Sequence, residues 1–193
     1  MKMNLLIFYG SVRDARQGIK AARFIEHTFR KRGYDVALVD PCEYDFGLLN
    51  WMYKEYDPGT APEKMEELAE MIRKADGFLV VSGEYNNSIP PALTNLMDHY
   101  LEEYGFRPSG IITYSSGRLS GIRAAMQLRA YLGEIGTVTI PTIFPIANVQ
   151  DTFTESGEPV NKKYHDFITQ FADEFEWYCK TLRDGRDNHE LPY

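Results

Sequence analysis

Five short apolar runs alternate with stretches in which apolar residues recur every three or four positions, and this alternation limits the fold more than any other feature of the chain. The runs read as strands from Asn4 to Tyr9, Asp35 to Val39, Gly77 to Ser82, Gly110 to Tyr114 and Thr137 to Ile140. LLIFY, FLVV and IITY are continuous rather than alternating, as in strands buried on both faces of a parallel sheet. Met65, Leu68, Ala69 and Ile72 have helical spacing, as do Leu93, Leu96, Met97 and Tyr100. Tyr164, Phe167, Ile168, Phe171, Phe175 and Tyr178 mark a long final helix, and further helices are expected at about 16–32 and 118–134. Right-handed crossovers then place helices on both sides of the sheet. The expected fold is α/β, a three-layer, doubly wound, five-stranded parallel sheet. A ligand should sit outside the carboxyl ends of the strands, where the strand order reverses.

With 193 residues the chain is expected to form one domain over residues 1–182, followed by a polar, loosely held tail over 183–193. Two long connections interrupt the pattern, Pro41 to Pro62 and Ile140 to Asn161. The first carries Tyr44, Phe46, Trp51, Tyr53 and Tyr56. With the Pro91 to Tyr104 helix it is expected to form a homodimer interface, the alternative being an insert folded back on its own domain.

A net charge of −7 has the wrong sign for coating nucleic acid or an anionic membrane, so neither is expected as a partner. The apolar run at the start is too short for a signal segment, and no stretch approaches a membrane span, so a cytoplasmic location is expected. Cys42 and Cys179 sit in no CxxC pair and have no histidine cluster beside them, which argues against a disulfide framework and a zinc site. A low-molecular-weight phosphatase needs a cysteine with arginine six positions on, where this chain has Leu48 and Gly185. No metal site is expected from His27, His99, His165 and His189, which are scattered.

Three loops follow the first, third and fourth strands. GSVRDARQG has the composition of an anion cradle: the Ser11 hydroxyl, the Arg13 and Arg16 guanidinium groups and the first amides of a helix. It is neither a Walker loop nor a GxGxxG turn, and a plain turn with solvated arginines is the alternative. SGEYNNSIPPAL reads as a turn and helix start, with Gly83 to Asn87 placed where main-chain groups can meet a flat heterocycle. YSSGRLSGIRAAMQLR allows close backbone approach at Ser115, Ser116 and Gly117, or is an ordinary small-residue helix start.

Taken together, the three loops resemble the NAD(P)H-dependent FMN reductase family of flavodoxin-like proteins, which includes quinone and azo-dye reductases. GSVRDAR is similar to that family's GSxRxxS/R loop, GEYNNSIPPALTNLMD to its PEYNxSxPxxLKNxxD segment, and SSGRLSGIRAAMQLR to its SxGxxGGxxAxxQLR segment. Gly83 stands where proline is usual, Thr94 where lysine is usual, and Ser120 for the first of a glycine pair. The resemblance implies that Ser11, Arg13, Arg16, Gln17 and Gly18 hold an FMN phosphate. Glu84, Tyr85, Asn86 and Asn87 would flank the isoalloxazine ring, and Ser115, Ser116 and Gly117 its pyrimidine and ribityl side. It further implies NADPH or NADH as donor, a quinone, azo compound, flavin or similar small-molecule acceptor, and homodimers that pair into homotetramers. With one ring face serving both substrates, a ping-pong order is expected and no single acid/base residue is assigned. Arg118 reads either as extra charge beside the reduced ring or as a solvent-facing residue. The alternative function is a non-catalytic flavodoxin-like carrier or flavin-binding interaction module.

Overall fold

The computed structural model describes residues 2–192, so Met1 and Tyr193, the outer ends of the expected domain and tail, lie outside it. Its strands are β1 (Asn4–Tyr9), β2 (Asp35–Val39), β3 (Gly77–Ser82), β4 (Pro108–Tyr114) and β5 (Val138–Ile146). The helices are α1 (Gly18–Lys31), α2 (Glu63–Lys74), α3 (Pro91–Asp98), α4 (Ile122–Glu134), the short α5 (Val149–Thr152) and α6 (Lys163–Asn188). All strand pairs are parallel, and the order is β2-β1-β3-β4-β5. This is the flavodoxin-like doubly wound arrangement, with the reversal of strand order between β1 and β3.

Strand residues alternate between two cores. Leu5, Ile7 and Tyr9 of β1 join Leu79, Val81, Ile112 and Phe144 under α1 and α6. Leu6 and Phe8 join Phe78, Val80 and Ile111 under α2, α3 and α4. Burial on both sides explains the uninterrupted apolar runs. Close contact with α6 also requires residues without a β-carbon: at Gly110 one would stand 2.8 Å from the Phe171 ring, and at Gly77 2.8 Å from that of Phe175.

Two segments, β5 and α6, depart from the sequence reading, and the insert takes the folded-back packing that the sequence left open as its alternative. β5 runs six residues past Ile140, through Pro141 and Pro145, because it is an edge strand where a missing N–H is tolerated. Between the pairs Ser109–Thr139 and Ile111–Ile143, two steps along β4 face four along β5. The resulting bulge exposes the carbonyls of Ile140 and Pro141, which accept from the Arg129 guanidinium.

The Pro41 to Pro62 insert lies back on its own domain. Its Leu49 N–H donates to Asn95 Oδ1 at 3.0 Å, Asn95 Nδ2 donates to the Gly47 carbonyl at 2.7 Å, and the Tyr53 N–H donates to the His99 carbonyl at 2.7 Å. Tyr44, Phe46, Tyr53 and Tyr56 cover the core beneath α2 and α3, while Trp51 stays 53% and Leu48 86% exposed.

α6 continues to Asn188, beyond the boundary expected at residue 182. Arg183 and Arg186 reach Asp76 at the start of β3 at 3.3 and 3.4 Å, and the Asp76 carboxylate also accepts from the Asn4 N–H at 2.9 Å. Burial lowers the Arg186 pKa, and Asp76 works against that shift. Among the described residues no helix is long and apolar enough to cross a membrane. Replacing Asp76 takes the carboxylate from the largely covered Arg186 guanidinium and one of the partners from Arg183, which keeps Asp187 at 3.6 Å. Asp76→Ala should therefore lower unfolding stability by about 2 kcal/mol, between the exposed and buried limits for ion pairs, read as a lower urea midpoint at unchanged slope.

Candidate active site

β1, β3 and β4 deliver three loops to one edge of the sheet, and there they wall a cavity of about 310 Å³. Ser11, Arg13, Arg16, Gln17 and Gly18 come from the first loop, Gly83, Glu84 and Tyr85 from the second, and Tyr114, Ser115 and Ser116 from the third. Val149 and Gln150 of α5 close the remaining side. Such a volume is at the lower end of small-molecule sites, about 300 to 1,000 Å³.

Within the first loop the two arginines are not equivalent. Arg16 Nη1 donates to Asp40 Oδ1 at 2.6 Å, to the Ser11 carbonyl at 2.9 Å and to Cys42 Sγ at 3.2 Å, with its guanidinium over the Tyr9 ring. Hydrogen bonding to Asp40 raises its already high pKa further. Arg16 therefore bolts the loop to the end of β2. The Arg13 guanidinium, by contrast, is exposed and has no hydrogen bond or ion pair among the described residues. Gln17 precedes α1 and no side chain among the described residues caps that helix; the Lys20 N–H donates to the Gln17 carbonyl at 3.2 Å, which leaves the Gly18 and Ile19 amides open to an anion.

Ser11 is buried and shares a hydrogen bond with the Tyr85 hydroxyl at 3.1 Å, joining the first loop to the second. Gly18 is required by Tyr114: a β-carbon there would stand 2.0 Å from the tyrosine Cζ. Burial pushes the Tyr9 and Tyr114 hydroxyls above the ordinary tyrosine value, so both stay protonated near neutrality. Tyr9 Oη lies beside Tyr114, Ser11 and Arg16 without a well-formed hydrogen bond among the described residues.

The second loop is a tight turn. Tyr85 and Ser88 exchange backbone hydrogen bonds at 3.0 and 2.9 Å, and Asn86 and Asn87 have φ of 51° and 65°. Two consecutive positive φ values are the demand of a type I′ turn, which asparagine meets with little strain. Asn86 and Asn87 thus form the turn tip and are not part of the cavity wall. Gln127 straps the turn to α4 by donating to the Asn87 carbonyl at 2.8 Å and accepting from Ser88 Oγ at 2.7 Å.

Glu84 is on the wall, but its carboxylate accepts from the Arg123 and Ala124 N–H groups at 2.9 and 3.3 Å. α4 begins at Ile122 rather than at Arg118, and Glu84 already compensates its positive end. Ser115 Oγ donates to the Gly117 carbonyl at 2.9 Å, and Ser116 offers its carbonyl to Gln150 Nε2 at 3.4 Å. Gly117 lines an adjoining cavity of about 510 Å³ together with Glu84, Ser115, Arg118 and Leu119.

The sequence reading missed Tyr114, Val149 and Gln150. Ending β5 at Ile140 hid the last two; a strand continued through its prolines would have carried α5 to the same edge.

The segment from residue 3 to 151 matches the model of the NADPH-dependent FMN reductase family. The chain belongs to that family. A quinone reductase of Pseudomonas putida is 27% identical over 146 residues, 72% of this chain and 77% of that protein. An NADPH azoreductase of a Bacillus species is 25% identical over 171 residues, 87% of this chain and 90% of its own length. Among solved structures, the FerB flavoenzyme NAD(P)H:(acceptor) oxidoreductase of Paracoccus denitrificans superposes with a TM-score of 0.75 at 21% identity, covering 93% of this chain and 98% of that one. A Pseudomonas aeruginosa flavodoxin mutant matches at 0.57 and 17% identity over 94% and 99%, and both structures speak for the fold alone. Membership makes this FMN reductase an oxidoreductase that works with FMN and NAD(P)H.

The cavity fits that cofactor on its own chemistry. It offers a dianion the free Arg13 and the uncapped start of α1. It also holds a buried acceptor without a partner among the described residues, Gln150 Oε1, suited to a polyol hydroxyl or ring N–H. In Gly18→Ala the new methyl must displace the buried Tyr114 ring, an overpacking that costs about 1 to 3 kcal/mol. A thermal midpoint lower by roughly 3 to 10 °C, followed by circular dichroism, is the expected outcome.

Proposed function

We propose that this FMN reductase passes electrons from reduced nicotinamide to a quinone, azo compound, flavin or similar small acceptor, with both substrates using one cavity in succession. The observation that carries this reading is the convergence of the free Arg13, the open start of α1 and the main chain of two further loops on a single cavity at the switch point of the sheet. FMN, when bound, supplies the two-electron exchange between donor and acceptor.

The chain's own groups bind, orient and exclude water. Arg13 and the first amides of α1 hold the phosphate through charge-assisted hydrogen bonds. Ser11 and Tyr85 keep the first two loops at a fixed separation. The backbone of Gly83 to Tyr85 and of Ser115 to Ser116 presents polar groups to the edge of a flat ring, while the protonated Tyr114, stacked on the fully buried Tyr9, closes the floor against water. Arg16, Glu84 and the Asn86–Asn87 turn act through the loops they brace. Since donor and acceptor must stack in the same place, the oxidised nucleotide leaves before the acceptor enters.

Two supporting features concern setting. Both cysteines are free thiols, in keeping with a reducing, cytoplasmic compartment. Leu48 and Trp51 on the insert, with Ile122 and Met126 on α4, leave apolar surface of the kind a homodimer or homotetramer covers.

Initial rates measured with varied NAD(P)H at several fixed quinone concentrations should give parallel double-reciprocal lines, and NAD(P)H alone should bleach the bound flavin. Intersecting lines would show two separate substrate sites, and the absence of bleaching would favour a non-catalytic carrier. A charge-assisted hydrogen bond is worth about 1.5 to 3 kcal/mol, so Arg13→Ala should weaken FMN binding by roughly 10- to 150-fold in a flavin titration of apo-protein. Unchanged affinity would place the phosphate elsewhere.

A further inference from the structure

Around the two adjoining cavities the arginines differ in whether they already have a partner. Arg16 is held by Asp40, and Arg123 faces Glu84 at 3.5 Å. Arg13 stands beside the uncapped start of α1 in the main cavity. Arg118 lies in the second cavity, about 510 Å³, and is exposed, with no side-chain hydrogen bond or ion pair among the described residues. The two cavities share Glu84 and Ser115, so a molecule in the first can extend into the second.

The loop that carries Arg118 is held at both ends. The Gly117 carbonyl accepts from Ser115 Oγ at 2.9 Å and from the Asn148 N–H at 3.2 Å. Ser120 and Gly121 have φ of 56° and 75°, and a β-carbon on Gly121 would stand 2.9 Å from the Tyr114 carbonyl oxygen. The guanidinium is therefore offered from a braced turn, with little backbone entropy to lose on binding. Leu119, 56% exposed, puts apolar surface beside it. A fork of N–H donors next to an apolar side chain suits a phosphorylated nucleoside. In a chain of net charge −7, a phosphomonoester is held only where a local cation outweighs the overall field.

We propose that Arg118 recognises the phosphomonoester of the nucleotide that enters after FMN is in place, and that this group is the 2′-phosphate of NADPH. The inference rests on the function proposed above and adds to it a residue that separates NADPH from NADH. A free FMN acceptor would bring a phosphomonoester of the same chemistry, so the experiment distinguishes the two sources.

The flavin-loaded protein is titrated calorimetrically with adenosine 2′,5′-bisphosphate and with 5′-AMP, and KM is measured for NADPH and NADH and for FMN and riboflavin as acceptors. In Arg118→Ala the bisphosphate should bind roughly 10- to 100-fold more weakly, and KM for NADPH should rise by that factor more than KM for NADH. Arg118→Lys should recover part of the loss. Lys163→Ala, at the start of α6 in a pocket it shares with Ser120 of the same loop, should leave the NADPH/NADH ratio as it is. A loss confined to FMN against riboflavin would retain the phosphomonoester role and overturn NADPH as its source. An equal loss with NADPH and NADH, or unchanged bisphosphate affinity and ratios, would overturn the proposal. Failure of the unmutated protein to be reduced by either nucleotide would instead sink the proposed function, and this inference with it.

Discussion

A parallel sheet that is apolar on both faces has to be covered twice, and every return across it ends where the next strand begins. That requirement sends the carboxyl ends of β1, β3 and β4, and the loops that follow them, to one edge. It also separates neighbours: the loop after β1 leads to α1 on one face, while the loop after β3 leads to α3 on the other. The cavity is the gap this divergence opens. Its floor is the end of the sheet, which is why Tyr9 and Tyr114, the last residues of their strands, lie beneath it.

Much of the polar chemistry near this gap holds loops. Ser11 pairs with Tyr85, Arg16 with Asp40, Glu84 with the first amides of α4, and Gln127 with the Asn86–Asn87 turn. Each contact satisfies a group that is costly to leave unpaired once the loops are partly buried. Together they fix the distance between cavity walls without a ligand, the preorganisation that a cofactor site needs. Residues of similar composition therefore do different work: Arg13 is left open to an anion, whereas Arg16 is occupied by its neighbours.

The three loops were legible as one site because residue types at a strand end report backbone demands directly. Gly18, the Asn86–Asn87 pair and Gly121 after β4 are choices forced by close approach or positive φ, and such choices leave a mark in sequence. The roles of individual side chains left no such mark. Glu84 meets α4 some 40 positions later, and Arg186 meets Asp76 across 110, separations that no local pattern encodes.

What the sequence determined by itself was the order of strands and helices, the burial of the sheet on both faces and the loops that meet at its edge. These follow from periodicity and turn chemistry, which act over a few residues. Tertiary structure alone decided that the prolines of β5 lie on an edge and that the aromatic insert covers its own domain. It decided too that α6 runs on to Asn188 to meet Asp76, and that among the described residues Arg13 and Arg118 keep free guanidinium groups while Arg16 and Arg123 do not. The physical reason is common to all four: whether a proline, a ring or a charge is tolerated depends on the partner it finds, and those partners come from distant parts of the chain.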